Sequence, residues 1–158
     1  MVQSFIIRRA RPDDNEPVRA MIFSVLDEFG VPSEPEGDDR DASEFGLNDD
    51  RIYLVAELSG KAIGSAILTA SGPNTFKLSK LFLGKEFRHL GIGRRLLEAS
   101  VIEAKNAGAD TIYLRTRDSY ADAIRLYERC GWTRHSDALP PPGPPIKYSL
   151  HITQNRER

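Results

Sequence analysis

The sequence predicts an α/β protein built on one mixed sheet with helices on its faces. Short β-rich runs alternate with segments of helical periodicity, in the order β-α-(α)-β-β-β-α-β-α-β-β. Three consecutive runs are joined by the turn signals Ser59-Gly60 and "SGPN", so this part of the sheet is antiparallel. The later strands are separated by helical segments, which makes the sheet mixed.

Each element has a local reason. "SFIIRRA" reads as a strand, and "RPDDNEPVRAMIFSVLDEF" as a helix with Asp13 or Asp14 as its cap and Pro17 in its first turn. Val18, Ile22, Val25, Leu26 and Phe29 recur along it at helical spacing. "GVPSEPEGDDRD" is a loop rich in Pro, Gly and acid, leading into a short helical piece that ends by Leu47. "RIYLVAELSGKAIGSAILTA" is a hairpin and "TFKLSKLFL" a third antiparallel run. Ile92, Leu96, Leu97, Val101 and Ala104 mark the next helix, which stops near Gly108. "DTIYLRT" is a strand, and "SYADAIRLYERC" a helix ended by Gly131. "WTRHSDA" is a strand, "LPPPGPP" a rigid loop and "IKYSLHI" the final strand.

At 158 residues the chain fits one domain over residues 1–153, with a polar tail over 154–158. With 40% hydrophobic and 28% charged residues it has an ordinary globular composition. The net charge of −1, from 22 basic and 23 acidic side chains, argues against a general nucleic-acid binder, which needs a basic excess. No run approaches the ~18 apolar residues of a membrane span, so no membrane partner is expected. The single cysteine, Cys130, cannot close an internal disulfide, and the first residues carry no apolar leader, so a cytoplasmic location is expected. His89, His135 and His151 have no metal-ligand spacing, and no metal is expected.

The charges are segregated. Glu34, Glu36, Asp38, Asp39, Asp41, Glu44, Asp49 and Asp50 crowd one region; Lys77, Lys80, Lys85, Arg88, Arg94 and Arg95 crowd another. These are either two solvated faces or two poles for ligands of opposite sign.

The basic pole surrounds "EFRHLGIGRRLL", where two glycines lie between a strand and a helix. A helix N-terminus offers unpaired N–H groups and partial positive charge, and glycine lets an anion approach them. Gly91 and Gly93, with Arg88, Arg94 and Arg95 nearby, therefore point to a phosphate or pyrophosphate; solvation is the other reading of Arg94 and Arg95. A P-loop is excluded because Arg94-Arg95 follow Gly93, leaving no lysine–hydroxyl pair. A dinucleotide fingerprint is excluded because Leu96 replaces its third glycine and Asp110 precedes the next strand instead of ending it.

Arg88-His89-Leu90-Gly91-Ile92-Gly93 matches [RQ]-x-x-G-x-[GA], and the chain resembles the GNAT acetyltransferase superfamily, which binds acetyl-CoA. "ADAIRLYERCGW" is similar to that family's A-x-x-L-Y-E-K-x-G-F segment, and "IIRRARPDD" to its first strand and turn. The resemblance implies a mostly antiparallel sheet splayed between its fourth and fifth strands. It also implies that the backbone of Leu81, Phe82 and Leu83 pairs with the pantetheine arm, and that the N–H groups from Arg88, His89, Leu90, Gly91, Ile92, Gly93 and Arg94 hold the pyrophosphate. The side chains of Leu81 and Leu83 fill the core in either case.

By the same resemblance Tyr127 is the general acid that protonates the departing thiolate. A phenol of pKa about 10 keeps its proton at neutral pH. A core tyrosine is the other reading, because Ala123, Ile124, Tyr127 and Cys130 share one helical face. Cys130 reads as packing. Carbonyl polarisation falls to a fourth-strand N–H, such as that of Leu83.

Many family members carry a glutamate base where this chain has Lys77, and many have asparagine where it has Tyr120, with Ser119 a weak substitute. An acceptor of lysine-like pKa about 10.4 is neutral only about once in 2,500 molecules at pH 7, a penalty of roughly 4–5 kcal/mol, against about 1.4 for an α-amine near 8. The acceptor is then a weakly basic amine, or the base is water or an acid from elsewhere, with Glu44, Asp49 and Asp50 as candidates. The acidic loop suggests a cationic acceptor. The expected activity is acetyl transfer from acetyl-CoA to a small-molecule amine, in a chain that can also form a homodimer. The rival readings are a non-catalytic acyl-CoA-binding module and an enzyme that acetylates protein N-termini or lysines.

Overall fold

The computed structural model describes residues 4–153, so the predicted polar tail lies outside the described residues. Among those residues the elements follow the expected order. Strand β1 is Phe5–Arg9, helix α1 Asn15–Glu28 and helix α2 Arg40–Ser43; β2 is Arg51–Leu58, β3 Lys61–Ala70 and β4 Thr75–Leu83. Helix α3 is Ile92–Asn106, β5 Thr111–Thr116, α4 Ala121–Arg129, β6 Thr133–Arg134 and β7 Ile146–His151. The sheet runs β1-β2-β3-β4-β5-β7-β6, with every neighbour antiparallel except the pair β4 and β5.

The β2–β3 hairpin closes at Ser59 and Gly60, whose φ angles of 52° and 80° are the two positive values that a type I′ turn requires. Alternation along β2 then separates two cores. Leu54, Ala56 and Leu58 pack with α3 residues Ile92, Leu96 and Leu97, while Tyr53 and Val55 pack with α1 residues Val18, Ile22 and Leu26. Helices therefore cover both faces. Leu96 is fully buried, and Leu96→Ala is a loss of about 2–5 kcal/mol.

Two local expectations are corrected. Asp14 stands at the N-cap position of α1 as expected, but its side chain caps no helix N–H: the carboxylate accepts from the Arg11 N–H (2.7 Å) and from both Arg8 Nη groups (2.8 and 2.9 Å). A guanidinium is a stronger partner than a helix amide, and it ties β1 to the start of α1. The strand expected over "WTRHSDA" shrinks to Thr133–Arg134. Trp132 is held instead at the end of α4, its N–H donating to the Tyr127 carbonyl (3.0 Å) and its ring buried.

Candidate active site

β4 begins paired to β5 and then leaves it. Thr75, Phe76, Lys77 and Leu78 are in register with Thr111, Ile112, Tyr113 and Leu114, and the pairing stops there. Beyond it Phe82 and Leu83 stay with β3, opposite Ser65 and Gly64, while Arg115 and Thr116 follow β7. The departure coincides with a bulge: β3 advances two residues from Ile67 to Ser65 while β4 advances three, from Ser79 to Phe82. Lys80, at φ 53°, sits in that bulge, and its carbonyl accepts from the Ser65 hydroxyl (2.8 Å). The result is a wedge between β4 and β5. The side chains of Leu81 and Leu83 pack on the core, which leaves their backbone as the part able to meet a ligand.

Helix α3 opens toward this wedge. Gly91 precedes it at φ 84°, and a Cβ built there would meet nothing within 4 Å, so glycine is required by the left-handed backbone and not by crowding. A Cβ on Gly93 would make ordinary contacts with Leu83 (3.6 Å) and Leu126 (3.8 Å). No side chain caps the helix, and its first internal bond runs from the Arg95 N–H to the Gly91 carbonyl. The N–H groups of Ile92, Gly93 and Arg94 are thus the free donors of a helix N-terminus, with the dipole adding positive potential.

The arginines divide. Arg88 lines the cavity with its guanidinium already engaged: it grips Glu28 on α1 through two bonds (2.6 and 2.8 Å) and the Leu83 carbonyl through two more (3.2 and 3.1 Å). Arg95 stacks on Phe5, 5.6 Å from the ring centre, and lies away from the cavity. Arg94 alone of the three lines the cavity with an exposed, loosely paired guanidinium. Leu90 stands exposed, the Ile92 side chain is buried in the core, and His89 approaches Asp122 (3.4 Å).

A cavity of about 1230 Å³ joins the helix N-terminus to the wedge and continues to the far side of the sheet. Tyr127 on α4 lines it, 5% exposed, with its ring against Trp132 and Tyr148. No protein group among the described residues hydrogen bonds to its hydroxyl, and burial pushes its pKa well above the ordinary phenol value. The buried Thr116 hydroxyl, at the end of β5, also lines the cavity without a partner. Buried polar groups in native proteins are normally satisfied, so the orphaned Thr116 hydroxyl beside Tyr127 marks a place for a polar ligand or water.

The family model for the acetyltransferase (GNAT) family matches residues 19–132. The chain belongs to the GNAT acetyltransferase family. It is 27% identical over 145 residues to the uncharacterized N-acetyltransferase YjgM of Escherichia coli K12, covering 87% of each chain. Among solved structures it resembles a GNAT acetyltransferase from Staphylococcus aureus Mu50, with TM-score 0.83 and 24% identity, over 95% of this chain and 100% of that one. It also resembles the PaiA N-acetyltransferase of Thermoplasma acidophilum, solved in complex with coenzyme A, with TM-score 0.75 and 20% identity, over 94% and 99% of the two chains. The splayed β4–β5 pair is the GNAT fold feature expected from the sequence.

In this GNAT chain the acidic and basic poles meet. Lys80, expected among the cations of the glycine loop, points to the acidic loop instead. Its ammonium pairs with Asp39 (3.2 Å) and Asp41 (3.0 Å), and Asp41 also accepts from the Ser79 hydroxyl (2.5 Å). Burial works to lower the Lys80 pKa, but Asp41 and Asp39 outweigh it and leave it raised. Asp39 further accepts from the Glu34 N–H (2.8 Å), which folds the loop over β4. Asp39 and Asp41 share this one ammonium, so Lys80 offsets half of their charge.

The three base candidates are corrected as well. Glu44 pairs with Arg51 (2.9 Å), and Glu44, Asp49 and Asp50 all lie outside the cavity. Lys77 lines it. Tyr120 closes one wall by edge contacts with Phe29 and Phe82, 5.0 and 5.8 Å between ring centres. Local pattern does not signal the Lys80–Asp41 pair or the Tyr120 ring contacts, because those partners lie tens of residues apart in the chain.

Proposed function

We propose that the chain transfers the acetyl group of acetyl-CoA to the primary amine of a small molecule. The observation that carries this reading is a single cavity lined by the free N-terminus of α3, the β4–β5 wedge and the Tyr127 hydroxyl. The fit is good: N–H donors and Arg94 suit a diphosphate, and the unpaired edge of β4 suits an amide-bearing arm. In this assignment Leu81, Phe82 and Leu83 act through their backbone. Arg88, His89, Leu90, Gly91, Ile92, Gly93 and Arg94 act through main-chain N–H groups. The Arg88 side chain buttresses Leu83 instead of meeting phosphate.

The chemistry asks for a neutral amine, a polarised carbonyl and a proton for the departing sulfur. The amine nitrogen bonds to the thioester carbon, a β4 N–H stabilises the oxygen that gains charge, and the C–S bond breaks. Tyr127 gives its proton to the thiolate, and the proton shed by the acylated nitrogen restores the phenol through water. With Lys77 at the usual base position, the amine loses its proton to water before attack. Phe29, Val31 and Pro32 on one side, and Pro141 and Pro142 on the other, wall the far end of the cavity, which suits a small acceptor better than a protein surface.

The test is thiol release from acetyl-CoA over an amine panel, with Tyr127→Phe as control and calorimetry for acetyl-CoA binding. Amine-dependent release that falls at least about 100-fold in the control supports the reading. A folded chain that binds no acetyl-CoA at millimolar concentration sinks it.

A further inference from the structure

The face of the sheet toward the acceptor end carries three cations that no carboxylate answers. Lys77 on β4 is in register with Tyr113 of β5, and Arg115, two residues on, shares that face. Both line the cavity, as does Arg117 just beyond β5. Lys77 has no ion-pair partner among the described residues. The Arg115 Nε donates to the Pro144 carbonyl (2.7 Å) and one Nη to the Pro140 carbonyl (2.7 Å). Those carbonyls orient the guanidinium without neutralising it, and the second Nη has no acceptor among the described residues. The proline loop sits directly on it: a Cβ on Gly143 would lie 3.2 Å from the Arg115 guanidinium carbon. Arg117 lies 5.6 Å from the Tyr120 ring centre, and its Nε is buried without a partner.

The acids that line the cavity do not cancel this charge. Asp39 shares Lys80 with Asp41, and Asp122 faces Arg125 and His89. Only Glu34 and Asp38 remain, on the loop facing the sheet. Lys147 is nearby on β7, opposite Arg115, but its ammonium rests on the Tyr113 ring at 5.2 Å. A fixed guanidinium with idle donors, a second guanidinium with an orphaned N–H and an unpaired ammonium form a receptor for a planar anion.

We propose that the acceptor is an amine carrying a carboxylate, of the amino-acid class, whose carboxylate is held by Lys77, Arg115 and Arg117. This rests on the acetyl-transfer reading and narrows it. It gives Lys77 a task in place of the missing base: it anchors the acceptor so that the amino group points at the wedge. The reaction converts an ammonium-form amino acid and acetyl-CoA to the N-acetyl amino acid and coenzyme A, with one proton released to water.

The experiment compares amino acids with their carboxamides and their decarboxylated amines, using the full chain at pH 8 and following thiol release. The expected result is kcat/KM at least tenfold higher for the preferred acid than for its amide. Lys77→Gln and Arg115→Gln should each narrow that acid-to-amide ratio at least fivefold, mainly by raising KM for the acid. Melting curves establish that the variants are folded, and the wild-type ratio decides even if they are not. Amides or decarboxylated amines turned over as well as the acids overturn the proposal, as does a panel in which no acid reacts. Acetyl-CoA calorimetry separates the two levels: a chain that binds no acetyl-CoA overturns both readings, whereas one that binds it and ignores the carboxylate overturns only this one.

Discussion

Lys80 and Asp41 face each other across 3.0 Å at a site where both are almost completely buried, thirty-nine residues apart in the chain. The bond fastens the loop after α1 to the bulge that opens the wedge, so the same contact serves stability and site geometry. Removing the cation by Lys80→Met leaves Asp39 and Asp41 buried without a counter-charge, and unfolding stability should drop by about 3–5 kcal/mol. Urea denaturation checks it. The triple change Lys80→Met, Asp39→Asn, Asp41→Asn should recover part of the loss, because the uncompensated charge is removed with its partner. The sign of the pH effect follows from the raised Lys80 pKa. The cluster's contribution is present below the unfolded lysine value of about 10.4 and is lost only as pH rises through the folded value. The penalty of the single change should therefore be the same at pH 7 and pH 9.

Gly91 and Gly93 should respond differently to alanine. Gly91 has a left-handed φ of 84°, so Gly91→Ala strains the backbone by about 1–2 kcal/mol although its methyl meets open space. Gly93 is helical, and its methyl would make ordinary contacts, so Gly93→Ala should hold or raise stability by about 0.5–1 kcal/mol. If a diphosphate lies against these amides, both changes weaken acetyl-CoA binding, Gly93→Ala without any fall in melting temperature. Calorimetry and thermal melts on the two variants separate the effects.

Much of this was legible in the residues. The order of elements follows from periodicity and turn chemistry, and the glycine loop sits where its spacing placed it. The bulge is where local reading fails. Strict alternation from Leu78 would send the Lys80 side chain toward α3, but one extra residue resets the phase and turns it to the acidic loop. Arg88 was legible as a cation beside a phosphate loop, but not as a brace between Glu28 and the Leu83 carbonyl. That contact depends on how α1 packs over β4, which no window of sequence contains.

The Arg8–Asp14 pair makes acid stability predictable. Arg8 donates twice to Asp14 and once to Glu57, and the Asp14 side chain is only 8% exposed, so solvent screens the pair weakly. The Arg8 hydrogen bonds, opposed by burial and assisted by the Arg11 N–H, hold the Asp14 carboxyl below its usual range. A depressed carboxylate stabilises the fold above the unfolded value of about 3.9, and that contribution is lost as pH falls through the folded value. Asp14→Asn should cost about 2–3 kcal/mol at pH 7. In urea melts the wild type and the variant should converge as pH falls from the unfolded carboxylate value through the lower folded one. A difference that persists undiminished at pH 2 would show that shape, and not charge, is what Asn lacks.

Tyr127 ties the structure to a rate. Its ring is fixed between Trp132 and Tyr148, so Tyr127→Phe removes one oxygen and leaves the packing in place. If the hydroxyl delivers the proton to sulfur, kcat should fall by about 10²–10⁴, with KM for acetyl-CoA and melting temperature little changed. Burial raises the Tyr127 pKa, so the acid keeps its proton across the alkaline range and no falling limb should appear below pH 10. No carboxylate base stands at Lys77, so log kcat/KM should climb with unit slope from pH 6 until the acceptor amine itself is neutral. An inflection between pH 5 and 7 would instead identify a carboxylate at work, with Glu34 and Asp38 the two in the cavity free to supply it. Glu34→Gln and Asp38→Asn, measured on the same pH series, would then tell which of them it is.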